Sequence, residues 1–365
     1  MTTVPLLSLR ALNRALLDRQ LLSRRATTSA AAAVEHLVGL QTQVPTTHYT
    51  ALWSRLAGFD PDDFSRRFEA REFARISLHR STIHTVTARD CLALRPVLEA
   101  AHRRPFRSNW GRKLAGVDEA AVARRARTLT EERPRTFQEL GALLAEEWDA
   151  DPQALAQAAR HHLPLVQVPP RGLWQRGGAA RHTTAESWLG AALGEETAPD
   201  GLVLRYLGAF GPSSVKDAQT WSGLTRLREV FDRLLPELIR FRDANGVELF
   251  DLPDAPRPGE GAPGVVRFLP EYDNLFIGHA DRTRVISDAA KARTWRANRA
   301  FPVFLSDGFV RGTWRIDTDR TATEATLVLT PFDPLTAAER AGLAEEGARL
   351  LAFHAPGAAH DLHWK

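Results

Sequence analysis

Cysteine is nearly absent from this chain, and its scarcity excludes several kinds of site. Cys91 is the single cysteine among 365 residues, which leaves no disulfide framework and no zinc site of the Cys-x-x-Cys type. It lies at the start of an apolar helical pattern, which favours a buried structural thiol over a nucleophile. The histidines at 161–162 and 360–363 match no recognised metal-binding motif. We therefore predict no metal and no cofactor.

Long apolar runs are also absent. No stretch reaches the roughly 18 apolar residues of a membrane helix, and the first residues lack the pattern of a secretory signal. We therefore expect a cytoplasmic protein with no membrane partner. Hydrophobic residues make up 44% of the chain and charged residues 25%, which is typical of a globular protein. A chain of this length favours two or three domains.

Acidic residues are scarce in one part of the chain. The formal net charge is +4, but residues 71–135 contain 15 Arg and Lys against 7 Asp and Glu, a net charge of +8. Such a basic concentration suits a polyanion such as nucleic acid. It suits a merely solvated surface equally well, because nearly all the basic residues are Arg, as in a GC-rich genome. Charge alone leaves both interpretations open.

Two glutamines, one residue apart, end an apolar helical pattern. Four positions from Val34 to Gln41 follow the i, i+3, i+4, i+7 spacing of a buried helix face. We therefore predict a helix from Ala30 to Gln41. A buried amide without hydrogen bonds costs roughly 1–3 kcal/mol, so Gln41 needs partners. Pro45 favours an end to the helix here, which lets Gln43 converge with Gln41.

Such an amide pair can hold and orient a water molecule without changing its charge. The structural alternative is that Gln41 caps helix carbonyls while Gln43 is solvated, and this segment alone does not exclude it. The rest of the chain favours the water site.

Helix and hairpin patterns recur along the chain. Ser8 caps the first of three helices that precede a β-ribbon over Phe73–Val86, the outline of a winged helix. Capping-box spacing at Thr136–Glu139, a helix over Pro152–His162 and the hairpin turn Asn245-Gly246 indicate two further sets. We predict an α+β fold of four units, which are an N-terminal winged-helix region with the glutamines (1–120), a second winged helix (121–198), a third (199–258) and a mainly β C-terminal unit (259–365).

Within the C-terminal unit the sequence predicts short strands and a closing helix. The predicted strands are Val265–Leu269, Asn274–Gly278, Phe309–Ile316 and Ala325–Leu329, and the helix is Thr336–Phe353. The arginines of this unit include Arg282, Arg284, Arg311 and Arg315, which face either phosphate or solvent.

Six segments together carry a family resemblance. They are Gly39–Pro45 (Gly-Leu-Gln-Thr-Gln-Val-Pro) with Tyr49-x-x-Leu-Trp53, Leu78–His84, Arg171–Trp174, Tyr206–Pro212 with Asp217 and Trp221–Leu224, Leu269–Asn274 with Gly278–Arg282, and Gly308–Arg315. In this order they resemble the AlkZ/YcaQ family of winged-helix DNA glycosylases. The Gln-x-Gln form resembles the AlkZ branch, because the YcaQ branch has Asp at the second position. Family members usually have Gly where this chain has Ser81.

The resemblance implies tandem winged helices in a C-shape around double-stranded DNA, with Gln41 and Gln43 as catalytic groups. It implies removal of cationic N7-alkylguanines, including those in interstrand crosslinks, as in the self-resistance of an antibiotic producer. We expect a monomer. The candidate DNA contacts are Arg80, His84, Arg282, Arg311 and Arg315; His84 has the alternative of a core histidine.

The chemistry agrees with these residue types. Alkylation at N7 makes guanine a good leaving group, so the enzyme needs to place a water rather than supply a strong acid. A neutral amide pair can align that water while its carbonyl dipoles face the oxocarbenium-like sugar. The chain has only Lys113, Lys216, Lys291 and Lys365, which favours simple hydrolysis over a Schiff-base lyase step.

A second class of function also fits the basic segment and the hairpins. A winged-helix transcription regulator or architectural DNA-binding protein would account for the basic segment and the hairpins, but it would leave the paired glutamines without a function. A repair scaffold that binds damage and recruits other proteins is a third, weaker alternative.

Overall fold

A computed structural model describes residues 4–365 of the chain. Helices and strands alternate along it, as expected for the predicted α+β class. The first three residues of the predicted unit 1–120 lie outside the described residues. No helix within 4–365 is long and apolar enough to cross a membrane. The α-helices are α1 Leu9–Arg19, α2 Ala30–His36, α3 Thr47–Arg55, α4 Pro61–Glu69, α5 Ala88–Val97, α6 Glu99–Trp110, α7 Glu119–Glu132, α8 Phe137–Ala145, α9 Pro152–His162, α10 Ala185–Leu189, α11 Asp200–Phe210, α12 Val215–Ser222, α13 Leu227–Leu234, α14 Asn274–Ile277, α15 Asp288–Arg293 and α16 Ala337–His354. The strands are β1 Leu6–Leu7, β2 Leu40–Gln41, β3 Phe73–Ser77, β4 Ile83–Thr87, β5 Leu165–Gln167, β6 His182–Thr184, β7 Ile239–Asp243, β8 Glu248–Asp251, β9 Arg267–Leu269, β10 Trp295–Arg296, β11 Arg299–Ala300, β12 Val303–Ser306, β13 Phe309–Thr318, β14 Glu324–Pro331 and β15 Ala359–Trp364.

One antiparallel sheet joins the first two predicted units. Its strand order is β2-β4-β3-β5-β6, so it crosses the predicted boundary at residue 120. Beside it, α7, α8 and α9 enclose an apolar cluster that also includes Phe106 of α6 and Leu165 of β5. The capping box predicted for the second unit is present, because Thr136 and Glu139 bond reciprocally at the start of α8. The unit boundaries themselves stay predictions.

Helices α11, α12 and α13 followed by the β7–β8 hairpin have the element order predicted for residues 199–258. Strand β1, from the predicted first unit, adds to the edge of this hairpin in parallel with β7. A fully buried ion pair, with Arg19 Nη1 2.6 Å from Asp251 Oδ1, connects α1 to β8. The N-terminal helix is therefore fixed to the third unit.

The C-terminal residues form a five-stranded sheet, with strand order β15-β14-β13-β12-β9, against which α16 packs. The strand predicted over Asn274–Gly278 is wrong, because these residues form α14 and the loop after it. Asp273 starts this helix, since its carboxylate accepts a hydrogen bond from the N–H of Leu275 at 3.0 Å. The same carboxylate forms a fully buried ion pair with Arg55.

Candidate active site and nucleic-acid interface

Gln41 does not lie on a helix, so the predicted helix from Ala30 to Gln41 is wrong at its C-terminus. Helix α2 ends at His36, and the next turn includes Gly39 with φ +91°. Its N–H bonds to the carbonyl of Val34 at 2.9 Å, which is the Schellman arrangement of a helix C-terminus. A Cβ atom at Gly39 would lie 2.7 Å from Cγ1 of Val86, so this turn requires glycine.

After this turn the chain enters strand β2, where Gln41 pairs with His84 of β4. One further backbone hydrogen bond, from the N–H of Thr42 to β4, continues the ladder. The Thr42 side chain is buried with its Oγ1 3.1 Å from Oγ1 of Thr85. Successive side chains of a strand alternate between faces, so Gln41 leaves the face opposite Thr42. Strand β2 ends at Gln41, and the chain bends at Gln43. The two glutamines therefore lie at the end of a strand rather than at the end of a helix.

Both glutamine side chains contact the turn that connects β3 to β4. Oε1 of Gln41 accepts a hydrogen bond from Nη2 of Arg80 at 2.5 Å, and Oε1 of Gln43 makes a longer contact of 3.4 Å with the N–H of Ile83. Gln41 is 8% exposed, whereas Gln43 is exposed. Each carbonyl oxygen has a second lone pair, so both amides can still accept a hydrogen bond from a water molecule.

Arg80 is directed at the glutamines by a strained turn. Its backbone has φ +55°, and its guanidinium donates to the backbone carbonyl of Trp221 as well as to Gln41. Burial lowers the pKa of Arg80 to about 10, with the nearby Arg282 acting in the same direction, and the group stays charged at neutral pH. Its predicted contact with phosphate stays a prediction, since these partners are within the protein.

Ser81 follows Arg80 with φ +58°, a left-handed conformation that favours glycine. This conformation gives a physical reason for the glycine that is usual in the resembled family. The serine hydroxyl donates to the carbonyl of Ala101 at 3.1 Å, and this bond fixes the turn to the start of α6.

His84 lies across from Gln41 on the same face of the sheet. Its ring is buried, with Nδ1 2.9 Å from the carbonyl of Thr82 and the ring centroid 5.0 Å from that of His79. Burial lowers the pKa of His84 to about 3, and Arg80 contributes, so the imidazole is neutral at physiological pH. These contacts favour the core alternative, and a DNA contact by His84 stays a prediction.

The expectation that Arg284 faces phosphate or solvent is wrong, because its side chain is buried and Nη1 donates to the carbonyl of Pro212 at 2.9 Å. The other three C-terminal candidates differ in their surroundings. Arg282 is partly buried, and its guanidinium has no hydrogen bond or ion pair with any residue of 4–365. Arg311 donates to the carbonyl of Pro334 at 3.2 Å. Arg315 forms a bidentate pair with Asp317 at 2.8 and 2.7 Å. Of the three, Arg282 has the guanidinium that is available to an anion.

Two residues that the sequence analysis did not identify hold the backbone of the Gln-Thr-Gln segment. Oδ1 of Asn274 accepts from the N–H of Gln41 at 3.3 Å, and its Nδ2 donates to the carbonyl of Gly39 at 2.7 Å. From the other side, Nη2 of the buried Arg75 donates to the carbonyl of Thr42 at 2.8 Å. Asn274 belonged to a segment predicted as a strand, and only its place in the family motif pointed to it.

Ion pairs neutralise much of the predicted basic segment. Glu99, for example, bonds to both Arg95 and Arg103. Other arginines of this segment are exposed and form no ion pair within the described part of the chain; they are Arg71, Arg104, Arg107, Arg112 and Arg133. Arg296 and Arg299 of the β10–β11 hairpin are likewise exposed without an ion pair among these residues. The segment therefore has fewer unpaired, exposed arginines than its composition implied.

Within residues 4–365, no group of three or more His, Cys, Asp and Glu side chains is placed to hold a metal ion. Cys91 is buried in α5, and burial raises the pKa of its thiol. A thiol in this state is a poor nucleophile.

This chain is similar to known DNA glycosylases. An interstrand DNA cross-link repair glycosylase of Streptomyces sahachiroi is 29% identical over 174 residues, which span 43% of this chain and 44% of that relative. The solved structure of the S. sahachiroi DNA glycosylase AlkZ shares the fold, with a TM-score of 0.81 over 98% of this chain and 100% of that one at 20% identity. The model of the DNA glycosylase AlkZ-like family matches residues 34–353. The chain belongs to the AlkZ-like family of DNA glycosylases.

Proposed function

We propose that this chain is a monofunctional DNA glycosylase that removes cationic N7-alkylguanine from double-stranded DNA and unhooks interstrand crosslinks. The observation that carries the proposal is that the neutral amides of Gln41 and Gln43, at the end of β2, both contact the segment from Arg80 to Ile83. Both are oriented through Oε1 by the β3–β4 turn and both can accept a further hydrogen bond. The basic residues nearby suit a DNA backbone.

In the proposed reaction the two amide oxygens hold a water molecule beneath C1′ of the damaged nucleotide. The water oxygen bonds to C1′ as the bond from C1′ to N9 breaks, and the electron pair of that bond neutralises the cationic base. A proton of the water passes to solvent, leaving an abasic site and the free alkylated base. The carbonyl dipoles stabilise the positive charge on the sugar in the transition state.

The site suits leaving groups that are already activated. The glutamines do not titrate, and His84 is neutral because burial lowers its pKa to about 3. A neutral base such as uracil needs more help to leave than these groups supply. We therefore propose that undamaged and uracil-containing DNA are not substrates.

Binding is proposed to involve a monomer on duplex DNA. Arg282 is the first candidate for a phosphate because its guanidinium is without a protein partner among the described residues. The exposed arginines of α6 and of the β10–β11 hairpin are further candidates for contact with the DNA backbone. Roles for Arg80, His84, Arg311 and Arg315 in DNA binding remain part of the proposal.

Purified protein incubated with N7-methylguanine DNA and with crosslinked duplex, followed by alkali, tests this function. Gln41→Ala and Gln43→Ala are each expected to slow strand cleavage at the lesion by roughly 10²–10³-fold while DNA affinity is kept. The exposed Gln153→Ala is the matched control and should behave as the wild type. Lesion binding without cleavage in the wild type would instead support a transcription regulator or architectural protein.

A further inference from the structure

A pocket of about 320 Å³ opens where the Gln-Thr-Gln segment ends. Val44, which directly follows Gln43, lines its rim, and the indoles of Trp174 and Trp314 contribute to its walls. Its volume is within the roughly 300–1,000 Å³ of small-molecule sites. The size allows one planar heterocycle to bind, and the lining begins one residue after Gln43.

The aromatic walls are fixed by the core. The ring centroid of Trp174 is 4.8 Å from that of Tyr49 and 5.0 Å from that of Phe353. Nε1 of Trp314 donates to the carbonyl of Leu269 at 3.0 Å. His354 lies between the indoles, with ring centroids 5.7 Å from Trp174 and 6.3 Å from Trp314. The pocket is therefore preformed rather than assembled by a ligand.

Glu271 supplies the pocket's acidic group. Its carboxylate is partly buried and has no hydrogen bond or ion pair with another residue of 4–365. Burial raises its pKa, and a hydrogen bond from its own backbone N–H and the charge of Arg299 oppose this effect. Burial also lowers the pKa of His354 to about 4, so the histidine is uncharged at neutral pH. A carboxylate largely withdrawn from water with no cation bonded to it is costly, and a bound cation would offset that cost.

We propose that this pocket binds the planar cationic base of an N7-alkylguanine monoadduct, an inference that rests on the proposed function. Indole faces attract cations, and the Glu271 carboxylate can accept hydrogen bonds from the N–H groups of the base. Alkylated guanine combines the planar shape with the positive charge, whereas unmodified guanine has the shape alone. The pocket would thereby select damaged bases by charge.

The position of the pocket connects selection to hydrolysis. A monoadduct is free to leave the helix, as target bases do in many glycosylases. In this proposal the sugar of a base held against the indoles lies toward Gln43, because Val44, which lines the pocket, is the next residue in the chain. Recognition of the base and placement of the water then occur in neighbouring parts of the site.

Tryptophan fluorescence tests the pocket without DNA, with 7-methylguanosine as the cationic probe and guanosine as the neutral one. We expect the wild type to bind 7-methylguanosine about tenfold more tightly than guanosine, and Trp174→Phe to reduce the quenching. Glu271→Gln keeps the shape of the side chain and should bring the ratio of the two affinities close to one. Glu237→Gln, an exposed carboxylate elsewhere, is the matched control and should keep the preference.

The same variants are then assayed for release of 7-methylguanine from DNA, where Glu271→Gln should slow single-turnover release about tenfold at an unchanged melting temperature. If the wild type releases the base but binds both nucleosides equally, or if Glu271→Gln keeps the preference, the pocket inference is wrong and the function stands. If the wild type shows the Glu271-dependent preference but releases no base, the proposed function is wrong and the pocket assignment stands.

Discussion

At the scale of single residues, the site combines uncharged groups with arginines that have different tasks. Arg80 is bonded to Gln41 at 2.5 Å and to the main chain of Trp221, so it orients an amide. Arg282 has no protein partner among the described residues, so it is available to DNA. Sequence alone favoured a phosphate contact for Arg80 and left Arg282 open between phosphate and solvent, because the partner of a guanidinium is determined only in the folded chain.

Replacing each arginine by methionine separates these two tasks. Arg80→Met should lower the rate at saturating DNA by roughly 10–100-fold, since Gln41 loses the donor that orients it. Arg282→Met should keep that rate but weaken DNA binding and reduce the salt dependence of log Kd by about one phosphate contact. Single-turnover rates and affinities over a salt series provide the measurement. The opposite pattern would assign the phosphate contact to Arg80.

At the scale of elements, the end of α2 places the glutamines. The periodicity predicted a helix that is too long, because apolar residues continue the helical spacing through the Schellman turn and into β2. By contrast, α9 begins and ends where predicted, at Pro152 and His162. Its Pro start and Asp151 cap are strong local signals, whereas the left-handed turn at Gly39 depends on contact with Val86 of another strand.

Gly39→Ala tests this turn against a glycine of similar conformation. Both Gly39 and Gly58 have positive φ, but a Cβ at Gly58 meets no atom within 4 Å. Gly58→Ala should cost roughly 1–2 kcal/mol of backbone strain. Gly39→Ala should cost roughly 2–4 kcal/mol, because the clash with Val86 adds to the strain. Denaturant unfolding of both variants measures the difference, and equal losses would contradict the steric argument.

At the scale of the whole molecule, buried polar contacts connect distant parts of the chain around the site. Arg55 of α3 and Asp273 before α14 form a bidentate ion pair, with both distances 2.8 Å and both side chains fully buried. The next residue, Asn274, holds the backbone of Gly39 and Gln41. The C-terminal unit is therefore part of the structure that positions the glutamines.

Asp273→Asn removes the charge from this buried pair while keeping an oxygen that can cap α14. Loss of one partner leaves a buried, unpaired guanidinium, so we expect a destabilisation of roughly 3–5 kcal/mol together with a lower glycosylase rate. Asp317→Asn breaks the exposed pair with Arg315 and should change stability by less than about 1 kcal/mol. Thermal melting of both variants provides the comparison, and similar melting temperatures would show that the buried pair does not stabilise the connection.

The sequence by itself determined the α+β class and the order of helices and hairpin in the third unit, and it identified the Gln-Thr-Gln segment as the candidate site. These features depend on local periodicity, caps and turn residues, which are determined by residues close together in the sequence. Only the tertiary structure decided that Gln41 lies on a strand, that Asn274 and Arg75 hold its backbone, and which arginines are without partners. Each of these depends on contacts between residues far apart in the chain, and local pattern carries no information about such contacts. The curvature of the chain around DNA stays a prediction.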